Sequence, residues 1–138
     1  MSVFQRTVSV RTEGQGFSDL GRLVAGVVSE SGIQTGLCSL FVRHTSASLV
    51  IQENADPAVL RDLASWIEEL VPESRSWEHD DEGTDDMPAH VRCAITKTAE
   101  TVPVSEGKLC LGTWQGLYLW EHRSAGRTRE IVVHVAGD

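Results

Sequence analysis

The chain has 138 residues, of which 41% are hydrophobic and 23% are charged, and these proportions are ordinary for a soluble globular protein. A chain of this length is expected to fold as a single domain, residues 1–138, that buries roughly two-thirds of its unfolded surface. Its net charge of −8 and pI near 5.0 disfavour nonspecific binding to nucleic acid or an anionic membrane, because the field of the molecule repels phosphate.

The first third of the chain predicts two strands separated by a helix. Residues 3–12 and 35–44 alternate apolar and polar side chains, as half-buried strands do. Between them the apolar period becomes helical, and we expect Ser18 to cap this helix and Gly32 to end it. His44 closes the second strand, where a histidine can be either a structural hydrogen-bonding group or a ligand.

A second helix is predicted to begin at Pro57. Asp56 is placed to accept hydrogen bonds from the free amides of the first turn, and Pro57 has no amide donor to lose there. Pro72 ends the apolar stripe. Capping accounts for Asp56, so we interpret this helix as structural.

The stretch from His79 to His90 holds five carboxylates and two imidazoles within twelve residues. A histidine at each end, acids between them and a bend at Gly83 would let oxygen and nitrogen donors converge on a divalent cation or a proton-transfer site. The alternative is a solvated acidic loop.

A third helix is predicted over residues 88–98, because proline is favoured at the first helical position. This places His90 in the first turn. The helix N-terminus could bind a phosphate through its free amides, or Asp85 and Asp86 could cap it.

The last third of the chain predicts a sheet made of a hairpin and two longer strands. In the strand over residues 117–122, Glu121 and His122 end opposite faces, so the buried face must end in an ionisable group that is paired or lines a cleft. The closing strand spans residues 129–136, and we interpret its His134 as structural.

Two glycines, Gly112 and Gly116, bracket Thr113, Trp114 and Gln115. A backbone of this kind can approach a ligand closely. A binding role for Trp114 and Gln115 and simple packing of the aromatic ring are both open.

Several other site types are excluded by motif or spacing. The chain has no Gly-rich phosphate loop, no H-E-x-x-H and no G-x-S-x-G elbow that would turn Ser46 or Ser48 into a nucleophile. Cys38, Cys93 and Cys110 are odd in number and form no C-x-x-C pair, so we expect reduced core thiols. The start of the chain lacks a secretion signal and no apolar run could span a bilayer, so we expect a cytoplasmic protein with no membrane partner.

Four ordered segments together resemble the YjbQ-like family, also called secondary thiamine-phosphate synthases, and the match covers nearly the whole chain. The segments are residues 44–47, 53–57, 79–90 and 111–123. The resemblance implies an α+β domain, a mostly antiparallel sheet or sandwich with two to three helices packed on it. It further implies a homotrimer with sites near subunit contacts. One departure is Asp86, where the family pattern leads us to expect asparagine.

The activity that this resemblance implies is a secondary one, the condensation of a pyrimidine pyrophosphate with a thiazole phosphate, which releases pyrophosphate. A divalent ion, Zn or Mg, would neutralise the departing group. The expected metal ligands are His44, His79, His90 and Glu82. The expected catalytic residues are His90, Asp85, Glu121 and His122. The expected substrate-binding residues are Thr113, Trp114, Gln115 and Arg123, with Arg123 holding a phosphate of the small-molecule substrate.

Two other interpretations use the same residues. The cluster could hold a metal or small ligand without turnover, as a binding module. Alternatively, the polar stretch could be purely structural and seal a subunit interface.

Overall fold

The computed structural model describes every residue from Met1 to Asp138 and contains eight strands and three helices. In chain order the elements are β1 Ser2–Arg11, β2 Gly16–Asp19, α1 Gly21–Ser31, β3 Thr35–Val42, β4 Ala47–Glu53, α2 Pro57–Leu70, α3 Asp86–Ile95, β5 Ala99–Ser105, β6 Lys108–Leu109, β7 Gln115–Glu121 and β8 Thr128–Gly137. The strands form two antiparallel sheets, ordered β1-β8-β3-β5-β6 and β2-β7-β4.

A single core joins the two sheets to α1. It contains 16 buried apolar residues, contributed by α1 and its flanking residues and by strands of both sheets. Because one core serves both sheets, the chain is one α+β domain, as predicted. None of the three helices combines the length and apolar character that crossing a membrane requires.

Strand β7 is buried on both faces. Leu117 and Leu119 enter the shared core, whereas Trp120 lies on the opposite face, stacked on Phe17 at 4.7 Å between ring centroids and facing a cavity beside Ile67 of α2. This explains why the sequence pattern could not say which face of the strand is the inner one.

The helix starts divide into one confirmed and one incorrect prediction. Asp56 Oδ1 accepts from the Ala58 amide at 2.9 Å, so the cap of α2 is confirmed. The predicted cap at Ser18 is wrong, because Ser18 pairs with Leu119 in β2 and α1 begins only at Gly21. The predicted end of α1 is confirmed, since Gly32 has φ +71°.

The third helix starts two residues earlier than predicted, at Asp86 rather than Pro88. Its earlier start moves His90 from the first turn to the second. Asp85 occupies the N-cap position but makes no capping hydrogen bond there, because Arg123 and the Ser124 amide bind its carboxylate.

All three cysteines are unpaired. Cys38 and Cys93 are buried as predicted, and burial raises the pKa of Cys38 to about 11, which keeps its thiol protonated and unreactive. The core prediction is wrong for Cys110, which is exposed just after the short edge strand β6.

Candidate functional site

The start of α3 and the loop before it bring one carboxylate and two imidazoles together. Asp86 Oδ2 lies 2.9 Å from His79 Nε2 and 3.4 Å from His90 Nε2, and the three ligand atoms lie within 4.8 Å of one another. Asp86 and His90 are four residues apart on α3, so they share one helix face. This arrangement of two imidazoles and a carboxylate is a ligand set suited to a divalent transition metal.

The orientation of His90 is set by the backbone. Its Nδ1 lies 3.1 Å from the Thr45 carbonyl oxygen, which can only accept, so Nδ1 carries the proton in the neutral ring. The lone pair of the ring is then on Nε2, the atom that faces Asp86. Outer hydrogen bonds of this kind fix metal-binding histidines.

A single nitrogen of His79 faces two acids. Its Nε2 lies 2.9 Å from Asp86 Oδ2 and 2.9 Å from Glu82 Oε2. The hydrogen bond to Glu82 raises the pKa of His79, and the one to Asp86 adds to this. One proton serves two carboxylates here, and a cation bound between the three groups would replace it. Glu82 is therefore a fourth possible ligand, on the exposed side.

Arg123 forms three hydrogen bonds to the acidic stretch. Its Nε donates to Asp85 Oδ2 at 2.8 Å, its Nη1 to Asp86 Oδ1 at 2.9 Å and its Nη2 to the Glu82 carbonyl oxygen at 3.0 Å. Burial acts to raise the pKa of Asp85, but the hydrogen bonds from Arg123 and the Ser124 amide outweigh it and lower that pKa. Arg123 thus orients carboxylates, and three of its five N–H groups are engaged within the chain.

His44 lies outside the cluster of His79, Asp86 and His90. Its Nε2 accepts a hydrogen bond from the Glu130 amide at 2.7 Å, so that nitrogen is not free to bind a metal. Burial, assisted by the charge of Arg129, lowers the pKa of His44. The ring instead lines a cavity of about 590 Å³ between the end of β3 and α3, beside His90.

Glu121 sits in the interior as the centre of a hydrogen-bond network. Its Oε1 accepts from Thr12 Oγ1 at 2.7 Å and from Arg129 Nε at 2.8 Å. Its Oε2 accepts from Arg129 Nη2. The backbone amides of His122 and Arg123 also donate to Oε2, both at 3.1 Å. Burial acts to raise the pKa of Glu121, but the hydrogen bonds of Arg129 and Thr12 outweigh it and lower that pKa. The carboxylate is ionised and fully paired within the chain, and it is not a member of the cluster of His79, Asp86 and His90.

His122 is also buried and faces away from His79 and His90. Its Nε2 lies 2.8 Å from Ser48 Oγ. Burial, followed by the charge of Arg92, lowers the pKa of His122 to about 4, so the ring is neutral at physiological pH. It lines a small cavity beneath α2.

The predicted substrate-binding loop lies at the opposite end of β7 from Arg123. Seven strand residues separate the two ends, which corresponds to about 20 Å at the usual rise per residue. Trp114 is 65% exposed, Asn54 Nδ2 donates to the Thr113 carbonyl at 3.2 Å, and Gln115 Oε1 accepts from the Gly112 amide at 2.8 Å. Within one chain this loop therefore does not meet the acidic cluster.

Comparison with known proteins shows which family the chain resembles. Residues 6–138 match the family model described as UPF0047 protein YjbQ-like. A UPF0047 protein from Synechocystis is 53% identical over 97% of this chain and 92% of its own length. The YjbQ protein of Salmonella typhimurium is 39% identical over 98% of this chain and 99% of its own.

The chain belongs to the YjbQ-like UPF0047 family. Solved structures agree with this. A YjbQ/UPF0047 family protein from Clostridium acetobutylicum superposes with a TM-score of 0.88 at 32% identity, covering 95% of this chain and 99% of that one. A protein from Sulfolobus solfataricus described as YbjQ-like has a TM-score of 0.88 at 28% identity, covering 99% of this chain and 100% of that one.

In this YjbQ-like chain, Asp86 was not among the expected metal ligands or catalytic residues, although its stretch of sequence was singled out. Two further residues, Thr45 beside the cluster and Arg129 beside Glu121, were also not predicted. The Thr45 carbonyl is a backbone atom and carries no sequence signal. Arg129 had a signal, because it shares the alternating face of β8 that holds the buried residues Ile131 and Val133. A cation on a buried face needs an acid beside it, and Glu121 ends the buried strand β7.

Proposed function

We propose that this protein is a divalent-metal-dependent enzyme acting on a phosphorylated small molecule, with thiamine-phosphate synthase as a secondary activity. The observation that carries the proposal is the convergence of His79 Nε2, Asp86 Oδ2 and His90 Nε2 within 4.8 Å. The supporting contacts are the Thr45 carbonyl on His90 and the guanidinium of Arg123 on Asp86, which hold two of the three ligands in place.

The chain's own residues would divide the work of such a site. When bound, a divalent ion would supply charge neutralisation for a departing pyrophosphate. His90 and Asp86 would bind the ion from one face of α3, and His79 and Glu82 would bind it from the loop before the helix. Arg123 would favour the ionised form of Asp85 and hold the carboxylate of Asp86 in position.

The organic part of the substrate would lie in the cavity beside His90. Its volume of about 590 Å³ falls in the range typical of small-molecule sites. Phe41, Val42 and Ala94 supply an apolar wall that suits a flat heterocycle, and Thr96 and Thr98 supply hydroxyl groups for its polar edge. His90 lines both this cavity and the acidic cluster, so a substrate could span the two.

We also propose a homotrimer in which a neighbouring subunit completes the site. The support is the exposure of large apolar side chains, which burial against a neighbouring subunit would remove from water. Such residues are Leu37 at 51%, Phe41 at 52%, Ile95 at 52% and Trp114 at 65% exposure. The separation of the Trp114 loop from the cluster within one chain points the same way.

The test begins with metal. Purified protein freed of metal should bind one Zn²⁺ or Mg²⁺ per chain in calorimetric titration, and the loaded protein should then condense the two thiamine precursors. The variant His90→Ala should lose the activity while its circular dichroism spectrum and melting temperature stay near normal. The matched control is His134→Ala, because His134 lies on a sheet face with only Gln5 as a side-chain partner and should not affect turnover.

A second candidate function is a binding module without turnover. The observation that favours it is the position of Glu121 and His122, two of the four expected catalytic residues, whose side chains are engaged elsewhere in the interior. Stoichiometric metal binding with no turnover on the two precursors would support the module. Turnover that survives His90→Ala would remove His90 from the mechanism.

A further inference from the structure

A small cavity beneath α2 is separate from the metal cluster. It has a volume of about 180 Å³ and lies where α2, α3, the start of β2 and the end of β7 meet. Its polar and aromatic lining residues are Gln15, Glu68, Arg92, Trp120, Glu121 and His122, and the charge of Glu121 is compensated by its ion pair with Arg129. Arg92 follows His90 by two residues on α3, which turns its side chain to the other side of the helix.

Arg92 is a buried cation without an acidic partner. Its residue is 3% exposed, and its one hydrogen bond runs from Nη2 to the Val71 carbonyl oxygen at 2.8 Å. Its Nε is sealed from solvent and has no acceptor, and the residue forms no ion pair. A guanidinium keeps its charge at every physiological pH, and an uncompensated buried charge is costly.

His122 adds a second unused donor to the same cavity. Its residue is 1% exposed, and Nε2 is engaged by the Ser48 hydroxyl at 2.8 Å, while Nδ1 forms no hydrogen bond within the chain. When Ser48 donates to Nε2, the proton of the neutral ring is on Nδ1. The Nε–H of Arg92 therefore has no acceptor within the chain, and neither has the Nδ1–H of His122 in the tautomer that accepts from Ser48.

We propose that this cavity binds a small oxyanion, inorganic phosphate or the phosphoryl group of a small metabolite, through Arg92 and the Nδ1–H of His122. Charge, donor chemistry and size agree: the volume of about 180 Å³ equals roughly six water molecules and is below the usual range for larger organic ligands. The site goes beyond the proposed function, since it uses none of the metal ligands.

Of the two acids on the wall of the cavity, Glu121 is paired with Arg129, and Glu68 predicts the sign of an electrostatic effect. Glu68 is an exposed residue of α2 that lines the cavity without pairing with Arg92. Its charge repels a bound anion and lowers the affinity. Glu68→Gln should therefore tighten anion binding, whereas Asp62→Asn, which removes the same charge from an exposed position outside the cavity, should leave it unchanged.

The experiment is a calorimetric titration of metal-free protein with inorganic phosphate, repeated with methyl phosphate to learn whether an organic phosphate also fits. We expect one site per chain, an affinity lowered about tenfold or more by Arg92→Gln, and a smaller loss in Arg92→Lys, which keeps the charge. Glu68→Gln should tighten binding about two- to fivefold. In NMR spectra, phosphate should shift the ring signals of His122 and leave those of His134 in place.

Three outcomes would overturn the proposal. They are no saturable binding of either phosphate to the wild-type protein, equal affinity in folded Arg92→Gln protein, and equal effects of Glu68→Gln and Asp62→Asn. The Glu68 and Asp62 variants change exposed side chains and keep the test decisive even if Arg92→Gln fails to fold.

Discussion

Asp86 joins the two halves of the acidic cluster, since one oxygen faces both histidines and the other accepts from Arg123. Asp86→Asn keeps an acceptor for Arg123 and removes the negative charge. We therefore expect a near-normal fold and a loss of metal affinity of about 100-fold or more, at or above the upper end of the effect of an outer-contact change. Calorimetric titration with Zn²⁺ and a thermal melt measure the two quantities.

The matched control for Asp86 is Asp80→Asn, which removes the same charge from an exposed residue of the loop. Equal metal affinity in wild type and Asp86→Asn would show that the carboxylate is not a ligand. The family pattern leads us to expect asparagine at this position, so this variant also tests what the aspartate adds.

Glu121 differs from the acids of the cluster, because its role is to hold other residues in place. Glu121→Gln leaves the guanidinium of Arg129 buried without its counter-ion, and removing one partner of a buried pair costs about 3–5 kcal/mol. Denaturant unfolding measures this loss. The control Glu130→Gln breaks an exposed pair with Arg43 and should cost about 0–1 kcal/mol. Similar losses in the two variants would contradict the assignment.

The same carboxylate predicts a pH dependence of stability. The folded-state pKa of Glu121 is lowered from its usual 4.5, so the unfolded chain binds the proton more readily. The contribution is therefore fully present above about pH 4.5 and is lost as the pH falls through the lower folded-state value. The free energy of unfolding should decline less steeply below pH 4.5 in Glu121→Gln than in wild type.

At the scale of elements, the turn before β8 supports this network through a close approach of two backbones. A Cβ added at Gly126 would lie 2.3 Å from the carbonyl oxygen of Thr12, whose hydroxyl binds Glu121. Gly126→Ala should therefore displace Thr12 and destabilise the fold by about 1–3 kcal/mol. Gly26→Ala is the contrast, because Gly26 is an exposed residue of α1 with open space around its Cβ position, and the variant should gain about 0.5–1 kcal/mol of stability. Thermal melts of both variants check the opposite signs.

Local elements were predictable where a side chain acts on its own backbone, and less so where a distant partner decides. Asp56 and Pro57 fix the start of α2 without help, so that prediction is confirmed. The start of α3 depends on Arg123, which lies 37 residues beyond Asp86 in the sequence. Strand β2 was missed because pairing with β7 holds residues 16–19, and no local alternation announces it.

The convergence of His79, Asp86 and His90 was partly visible in sequence, since all three lie in one short stretch with helical spacing at its end. The sequence did not show that Glu121 and His122 lie away from this cluster. Alternation shows that the two faces of β7 end in ionisable groups, but it does not show that both faces are buried. His44 was misleading for a similar reason: its position at a strand end is correct, and a backbone amide of β8 occupies its nitrogen.

At the scale of the whole molecule, the proposed trimer would bring the Trp114 loop of one subunit to the acidic cluster of another. Light scattering should give three times the 15.1 kDa of one chain. Within one chain about 20 Å of β7 separates the loop from Arg123, so a site that uses both needs two subunits. Residues of this loop would then affect substrate affinity without affecting metal binding in their own chain.

Trimers assembled from two different variants distinguish a site shared between subunits from a site contained in a single chain. His90→Ala and Trp114→Ala homotrimers should each be inactive in the condensation assay. If each site takes His90 from one subunit and Trp114 from its neighbour, random assembly from equal amounts leaves about one-quarter of the sites intact, and activity returns to that level. If both residues serve the site of their own chain, every site in the mixture carries one defect and activity stays absent. The control combines the two preformed homotrimers without dissociating and reassembling them. Because no subunits are exchanged, this sample should show no turnover in either case.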